Sequence, residues 1–261
     1  MNLLFIGDVV GRAGRNMLSN HLERLVDTYN VDFVVVNGEN AAGGFGLTDD
    51  VVRSFRKLGV HVITSGNHIW DKKEFYHSLN RFEDVLRPGN YPPGAPGRGF
   101  GVYETNIGTR VGIVNLQGRV FMGELDCPFR TADAFLEQLA SETDVIFVDF
   151  HAEATSEKMA LAHYLDGRVA AVIGTHTHVP TADEHILSGG TGYQSDAGMT
   201  GSRDSVIGVR KDIAVEKFVS QLPARFEAAK RDPILCGVLL EINETTGLCE
   251  AIERIQRGPE K

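Results

Sequence analysis

The chain has little cysteine. Among its 261 residues only Cys127, Cys236 and Cys249 carry thiols. An odd number cannot pair within the chain, and the spacing matches no metal motif, so a disulfide scaffold and a thiolate zinc site are both excluded. Cys236 and Cys249 fall in apolar stretches and read as buried thiols of a reduced, cytoplasmic protein. Long apolar runs are also missing. No stretch approaches the roughly 18 residues of a membrane span. The opening MNLLFIGDVV lacks the basic start and small-residue cleavage pattern of a signal peptide. There is no excess of basic residues: the formal net charge is -9, which argues against tight binding to a nucleic-acid polymer. No internal repeat, low-complexity tract or domain linker interrupts the chain, so residues 1–261 are read as one domain. With 42% hydrophobic and 23% charged residues, the composition is that of an ordinary globular protein.

What is present is an alternation of apolar runs and helical periodicity. Leu3 to Ile6, Phe33 to Val36 and Val60 to Thr64 read as strands. Between them lie a helix from Asn16 to Tyr29 and one capped by Thr48, with Val51, Val52, Phe55 and Leu58 on its apolar face. This βαβαβ rhythm predicts parallel strands covered by helices. Residues 87–101 hold four prolines and five glycines and read as a loop. Beyond it, paired strands are expected at 101–106 and 110–115, helices at 132–140 and 156–164, and strands at 145–150 and 169–173. Several short β segments and a terminal hairpin, 236–242 with 248–255, complete the chain. The expected fold is α/β: a four-layer αββα sandwich of two mixed β-sheets with flanking helices.

The informative polar residues stand just past the apolar runs. Asp8, Glu39-Asn40, Asn67-His68, His151 and His176-Thr177-His178 each mark the end of a strand. Ligands of open α/β sheets gather at the carboxyl ends of strands. Five strand ends would therefore deliver oxygen and nitrogen donors, and no thiolate, to one rim. That set suits Mn, Fe or Zn. Taken singly, an Asp after a strand also fits a helix cap, and His151 also fits a buried core histidine. His176 and His178, two apart in extended chain, would face the same way. Asp149 is expected on the opposite side of its strand from His151, and either Asp149 or Glu153 is a candidate to orient a ligating imidazole.

These residues resemble the calcineurin-like metallophosphoesterases through Gly7-Asp8, Gly66-Asn67-His68, His151 and Gly174-Thr175-His176-Thr177-His178. The YmdB-type bacterial phosphodiesterase branch is resembled through residues 37–40 (NGEN), 148–158 (VDFHAEATSEK) and 196–201 (DAGMTG). The resemblance covers nearly the whole chain. It implies two adjacent metals, divalent or trivalent, with Fe or Mn ahead of Zn. Glu39 would bridge them, Asp8, His178 and Asn40 would hold one, and Asn67, His151 and His176 the other. His68 would face the substrate and protonate the leaving oxygen; its other reading is a group that orients a ligand. The wider superfamily usually has a His two residues after the first Asp, where this chain has Val10. It usually bridges with an Asp, where this chain has Glu39. Asn40 is the substitute donor. The implied reaction is attack by a metal-bridging hydroxide on small phosphodiesters, above all 2′,3′-cyclic nucleotides. A phosphomonoesterase, and a regulatory protein that binds metal and nucleotide with incidental turnover, are the alternatives.

Further candidates lie nearby. Gly43 and Gly44, in a Gly-Gly-Phe-Gly run, are candidates to contact substrate as a flexible loop, as are Thr200 and Arg203 near the Gly198–Gly201 turn. The sequence leaves a homo-oligomer open, and equally whether residues 87–101 close over the site or meet another subunit.

Overall fold

A computed structural model describes residues 1–259. Strands β1 (Asn2–Ile6), β2 (Phe33–Asn37) and β3 (Val62–Thr64) run parallel, joined by helices α1 (Gly11–Tyr29) and α2 (Asp49–Lys57). A short helix α3 (Lys73–Tyr76) and the Pro/Gly-rich loop lead to β4 (Phe100–Glu104) and β5 (Arg110–Gln117). Then come α4 (Pro128–Leu139), β6 (Ile146–His151), α5 (Thr155–Leu165) and β7 (Ala171–Thr175). Short strands β8 (His185–Ile186), β9 (Gly192–Gln194) and β10 (Gly201–Ser202) precede α6 (Lys211–Ser220) and the hairpin β11 (Pro233–Ile242) and β12 (Cys249–Arg257).

Two mixed sheets result. One has the order β10-β11-β1-β2-β3 with β12 also on β11; the other is β4-β5-β6-β7-β9-β8. Strand periodicity sorts the apolar residues into layers. Leu3, Phe5, Phe33 and Val35 point from the first sheet toward Ile113, Phe147 and Ile173 of the second. The Phe5 and Phe147 rings lie 5.0 Å apart. The alternate residues, Leu4, Ile6, Val34 and Val36, pack with Leu18, Leu22, Val52 and Phe55 of the outer helices. On the far side Val114, Val148 and Val172 meet Leu136, Leu139 and Leu161. The four-layer αββα arrangement expected from the sequence is the one found.

Several elements differ from the sequence reading, among them α3, which is not expected, and α4, which begins at Pro128, four residues early. Helix α1 begins at Gly11, five residues early, because its first turn (Gly-Arg-Ala-Gly-Arg) offers no large apolar residue to reveal the period. Helix α6 occupies a region read as short β segments. It buries only Ala214, while Val215, Phe218 and Val219 are exposed, so no apolar stripe marks it as helical. Among the described residues no helix is long and apolar enough to cross a membrane.

Candidate metal centre

The parallel strands of both sheets end on one rim. Asp8 follows β1, Glu39 and Asn40 follow β2, Asn67 and His68 follow β3, His151 closes β6, and His176 and His178 follow β7. Two clusters form there, Glu39 with His151 and His176, and Asp8 with Glu39 and His178. Glu39 belongs to both.

Around His151 the donors crowd. Its Nε2 lies 3.1 Å from Glu39 Oε2, 3.1 Å from Asn67 Oδ1 and 3.0 Å from His176 Nδ1. Four lone-pair atoms thus meet with at most one hydrogen among them. At the other cluster His178 Nε2 lies 3.2 Å from Asn40 Oδ1. Asp8 and Glu39 are almost wholly buried, and among the described residues Asp8 Oδ1 and Glu39 Oε1 have no hydrogen-bond partner. Buried carboxylate oxygens are ordinarily satisfied, because an unpaired one is costly. Shared lone pairs and two orphaned carboxylate oxygens are what a pair of cations would satisfy, so the residues fit the metals.

Four of these donors are held at their other end. Thr175 Oγ1 donates to Asp149 Oδ1 at 2.7 Å and so accepts from His151 Nδ1 at 2.9 Å, which leaves Nε2 facing the cluster. His176 Nε2 lies 3.2 Å from Glu153 Oε2. His178 Nδ1 donates to the Ile207 carbonyl at 2.8 Å. Asn40 Nδ2 donates to the Gly44 carbonyl at 3.0 Å, which turns its Oδ1 inward. These contacts set the tautomer of each neutral imidazole and the aim of each donor they touch.

Electrostatics here come from burial and crowding. Burial raises the Asp8 carboxyl above its ordinary range. Burial would raise Glu39 too, but the charge and hydrogen bond of His151 overcome it and hold Glu39 at about 2. Burial pulls His151 down, and Glu39, with Asp8 behind it, pushes it up to about 9. Burial and the neighbouring His151 charge lower His176 to about 3. Burial raises Asp149 to about 7, against donations from Thr64 and Thr175.

The chain matches the YmdB-like protein family over residues 4–255. It belongs to that family. A relative from Bacillus subtilis named 2′,3′-cyclic-nucleotide 2′-phosphodiesterase is 46% identical over 98% of this chain and 96% of its own. A putative phosphatase/phosphodiesterase of Mycoplasma pneumoniae is 37% identical over 99% and 95%. Among solved structures, a hypothetical protein from Thermus thermophilus superposes with a TM-score of 0.93 at 45% identity, covering all of both chains. A structure described as a novel phosphatase from Mycoplasma pneumoniae gives 0.93 at 35%, over 99% of this chain and 93% of that one. The resemblance read from the motifs is therefore borne out.

Two orientations read from the sequence are corrected. His176 and His178 are not in extended chain. Both have left-handed backbone, with φ of 98° and 67°, and they feed different clusters. Asp149 is not turned away from His151. Residues two apart on a strand share a face, and Asp149 reaches His151 through Thr175.

The remaining candidates scatter. Gly44 lines the cavity above the two clusters, while Gly43 lines the neighbouring one. The Gly43 and Gly44 amides donate to the Ala41 and Asn40 carbonyls within the turn. Thr200 is buried behind Asp8, its hydroxyl donating to the Cys236 carbonyl and accepting from the Cys236 amide, each at 3.1 Å. Arg203 pairs with Asp232 at the surface. His68 lines the cavity, and its Nδ1 donates to Asp71 Oδ2 at 2.8 Å. Sequence reasoning missed Asp71, three residues on in the same 3₁₀ turn, where i and i+3 share a face. The Pro/Gly-rich loop packs on that turn, Tyr91 meeting Trp70 edge-on at 5.3 Å.

Proposed function

We propose that the protein is a binuclear phosphodiesterase that hydrolyses 2′,3′-cyclic nucleotides. The observation that carries this is Glu39, buried and common to both ligand clusters, at the floor of a cavity of about 570 Å³. The relative named as a 2′,3′-cyclic-nucleotide 2′-phosphodiesterase, matched along almost the whole chain, supports the substrate. When bound, the metals supply Lewis-acid stabilisation of the phosphoryl oxygens and an activated water. The chain does the rest. Asp8, His178 and Asn40 hold one position, Asn67, His151 and His176 the other, and Glu39 both. Asp71 accepts a hydrogen bond from His68 Nδ1 and so orients the ring, leaving Nε2 to pass a proton to the departing ribose oxygen. Phe45, edge-on to His68 at 5.0 Å, covers that ring.

The metal reading favours Fe or Mn. The clustered donors are carboxylate and imidazole, with no thiolate among them, a set that supports Fe or Mn ahead of Zn. Unpaired thiols at Cys127, Cys236 and Cys249 support a cytoplasmic setting. A phosphomonoesterase is the second reading, favoured by the solved Mycoplasma structure described as a phosphatase.

Initial rates on 2′,3′-cyclic AMP and on p-nitrophenyl phosphate, with Mn or Fe(II), separate the readings. The diester should turn over faster, and His68→Ala should lower that rate by about a hundredfold, the scale of a lost general acid. A faster rate on the monoester overturns the proposal in favour of the second reading.

A further inference from the structure

The cavity over the metal ligands has two unlike sides. One is the polar rim of Glu39, His68, His176 and His178; the other is apolar and includes Val10, Ile207, Val209 and Phe226. Nothing in the chemistry at phosphorus calls for the apolar side.

Ile207 is the informative residue. Val206 and Val209 exchange hydrogen bonds of 2.9 and 3.0 Å across a two-residue turn, Ile207-Gly208. Both turn residues have left-handed backbone, with φ of 45° and 91°. That is the geometry of a type I′ hairpin, which Asn-Gly and Gly-Gly satisfy. A β-branched residue there is strained. Burial does not compensate, since Ile207 is 52% exposed. The Ile207 carbonyl accepts from His178, but any residue would supply a carbonyl. What isoleucine alone adds is apolar surface on the cavity wall. Phe226 adds an aromatic ring on the same wall, with Lys217 Nζ 4.3 Å from its centroid. Strain kept without a structural return points to function.

A phosphodiester held at the metal ligands leaves its organic part in the rest of the cavity. Resting on the phosphodiesterase reading, we propose that Ile207 and Phe226 form a nucleobase subsite, one that takes the flat heteroaromatic base of the substrate by stacking and apolar contact. Such contact is tolerant of base identity, because every base presents a π face. The subsite selects nucleotides over small cyclic phosphates rather than one base over another.

The test compares 2′,3′-cyclic AMP with glycerol 1,2-cyclic phosphate, which keeps the five-membered phosphodiester and lacks a base. In the metal-loaded full chain the ratio of the two kcat/KM values should fall about tenfold in Phe226→Ala and in Ile207→Asn, within the range of base–aromatic stacking, chiefly through KM. Ile207→Asn should also melt at the same or a higher temperature, because asparagine suits the turn. Equilibrium dialysis with adenosine reads the subsite without turnover: the native chain should bind it, and Phe226→Ala should bind it at least about fivefold more weakly. An unchanged ratio in both variants, or equal adenosine binding by native and Phe226→Ala chains, overturns the subsite. A native chain that hydrolyses neither cyclic phosphate overturns the phosphodiesterase reading instead, and adenosine binding then still decides the subsite.

Discussion

Gly66 stands directly before Asn67 because no side chain fits there. A Cβ at that position would sit 2.2 Å from His151 Cδ2 and 2.3 Å from Glu39 Oε2. Gly66→Ala must therefore displace His151 or Glu39. We expect it to lose at least one equivalent of metal and most of its turnover while remaining folded, as metal analysis beside circular dichroism would show. The second residue-scale prediction concerns protons. His151 sits at about 9 in the metal-free protein, so it is protonated at neutral pH, and that proton must leave before Nε2 can ligate. Metal affinity should thus rise with pH up to about 9, by no more than about tenfold per unit from this group, and then level off. Competition with a chelator across neutral to mildly alkaline pH checks the sign. An affinity that is flat or falls over this range contradicts the protonated His151.

At the scale of elements, the 176–178 turn is held from below by a buried ion pair. Lys158 of α5 and Asp196 both lie inside, with Nζ 2.8 Å from Oδ2. The same Oδ2 accepts from the Thr177 amide at 3.0 Å and the Thr177 hydroxyl at 2.8 Å. Lys158→Met leaves the Asp196 charge without its partner. We expect a loss of about 3–5 kcal/mol in denaturant unfolding, the usual consequence of breaking a buried pair on one side. The metal held by His178 should weaken with it. An unfolding free energy within about 0.5 kcal/mol of native would contradict this role. The sequence made much of the site legible at this scale. Parallel strands ending in Asp8, Glu39, Asn67, His151 and His176 could be read from apolar runs that stop at polar residues. What could not be read depends on long-range packing. Asp149 sits within an apolar run and looks like any strand polar residue. Its role appears only when Thr64 and Asn37, from the other sheet, donate to it. The left-handed backbone of His176 and His178 has no clear local signal either, since neither position holds the glycine that ordinarily marks it. Ile207 runs against the local rule, which asks for Asn or Gly, and the apolar wall it joins comes from Phe226, distant from every ligand in the sequence.

For the whole molecule, the decisive feature is that two sheets share one site. Asn37 of β2 and Thr64 of β3 donate to Asp149 of β6, at 2.9 and 2.5 Å, joining the two sheets. Phe5 and Phe147 pack between the sheets close by. Phe5→Ala should destabilise the fold by about 3–5 kcal/mol, as a fully buried aromatic truncation does, and should lower metal occupancy because each cluster draws donors from both sheets. Metal stoichiometry in Glu39→Ala beside His176→Ala tests the shared site outright. Glu39 alone contributes to both clusters, whereas His176 contributes to one. The native chain should hold two equivalents, His176→Ala should weaken one, and Glu39→Ala should lose both along with turnover of 2′,3′-cyclic AMP. A Glu39→Ala chain that keeps two equivalents, or hydrolyses the diester at the native rate, contradicts the binuclear site.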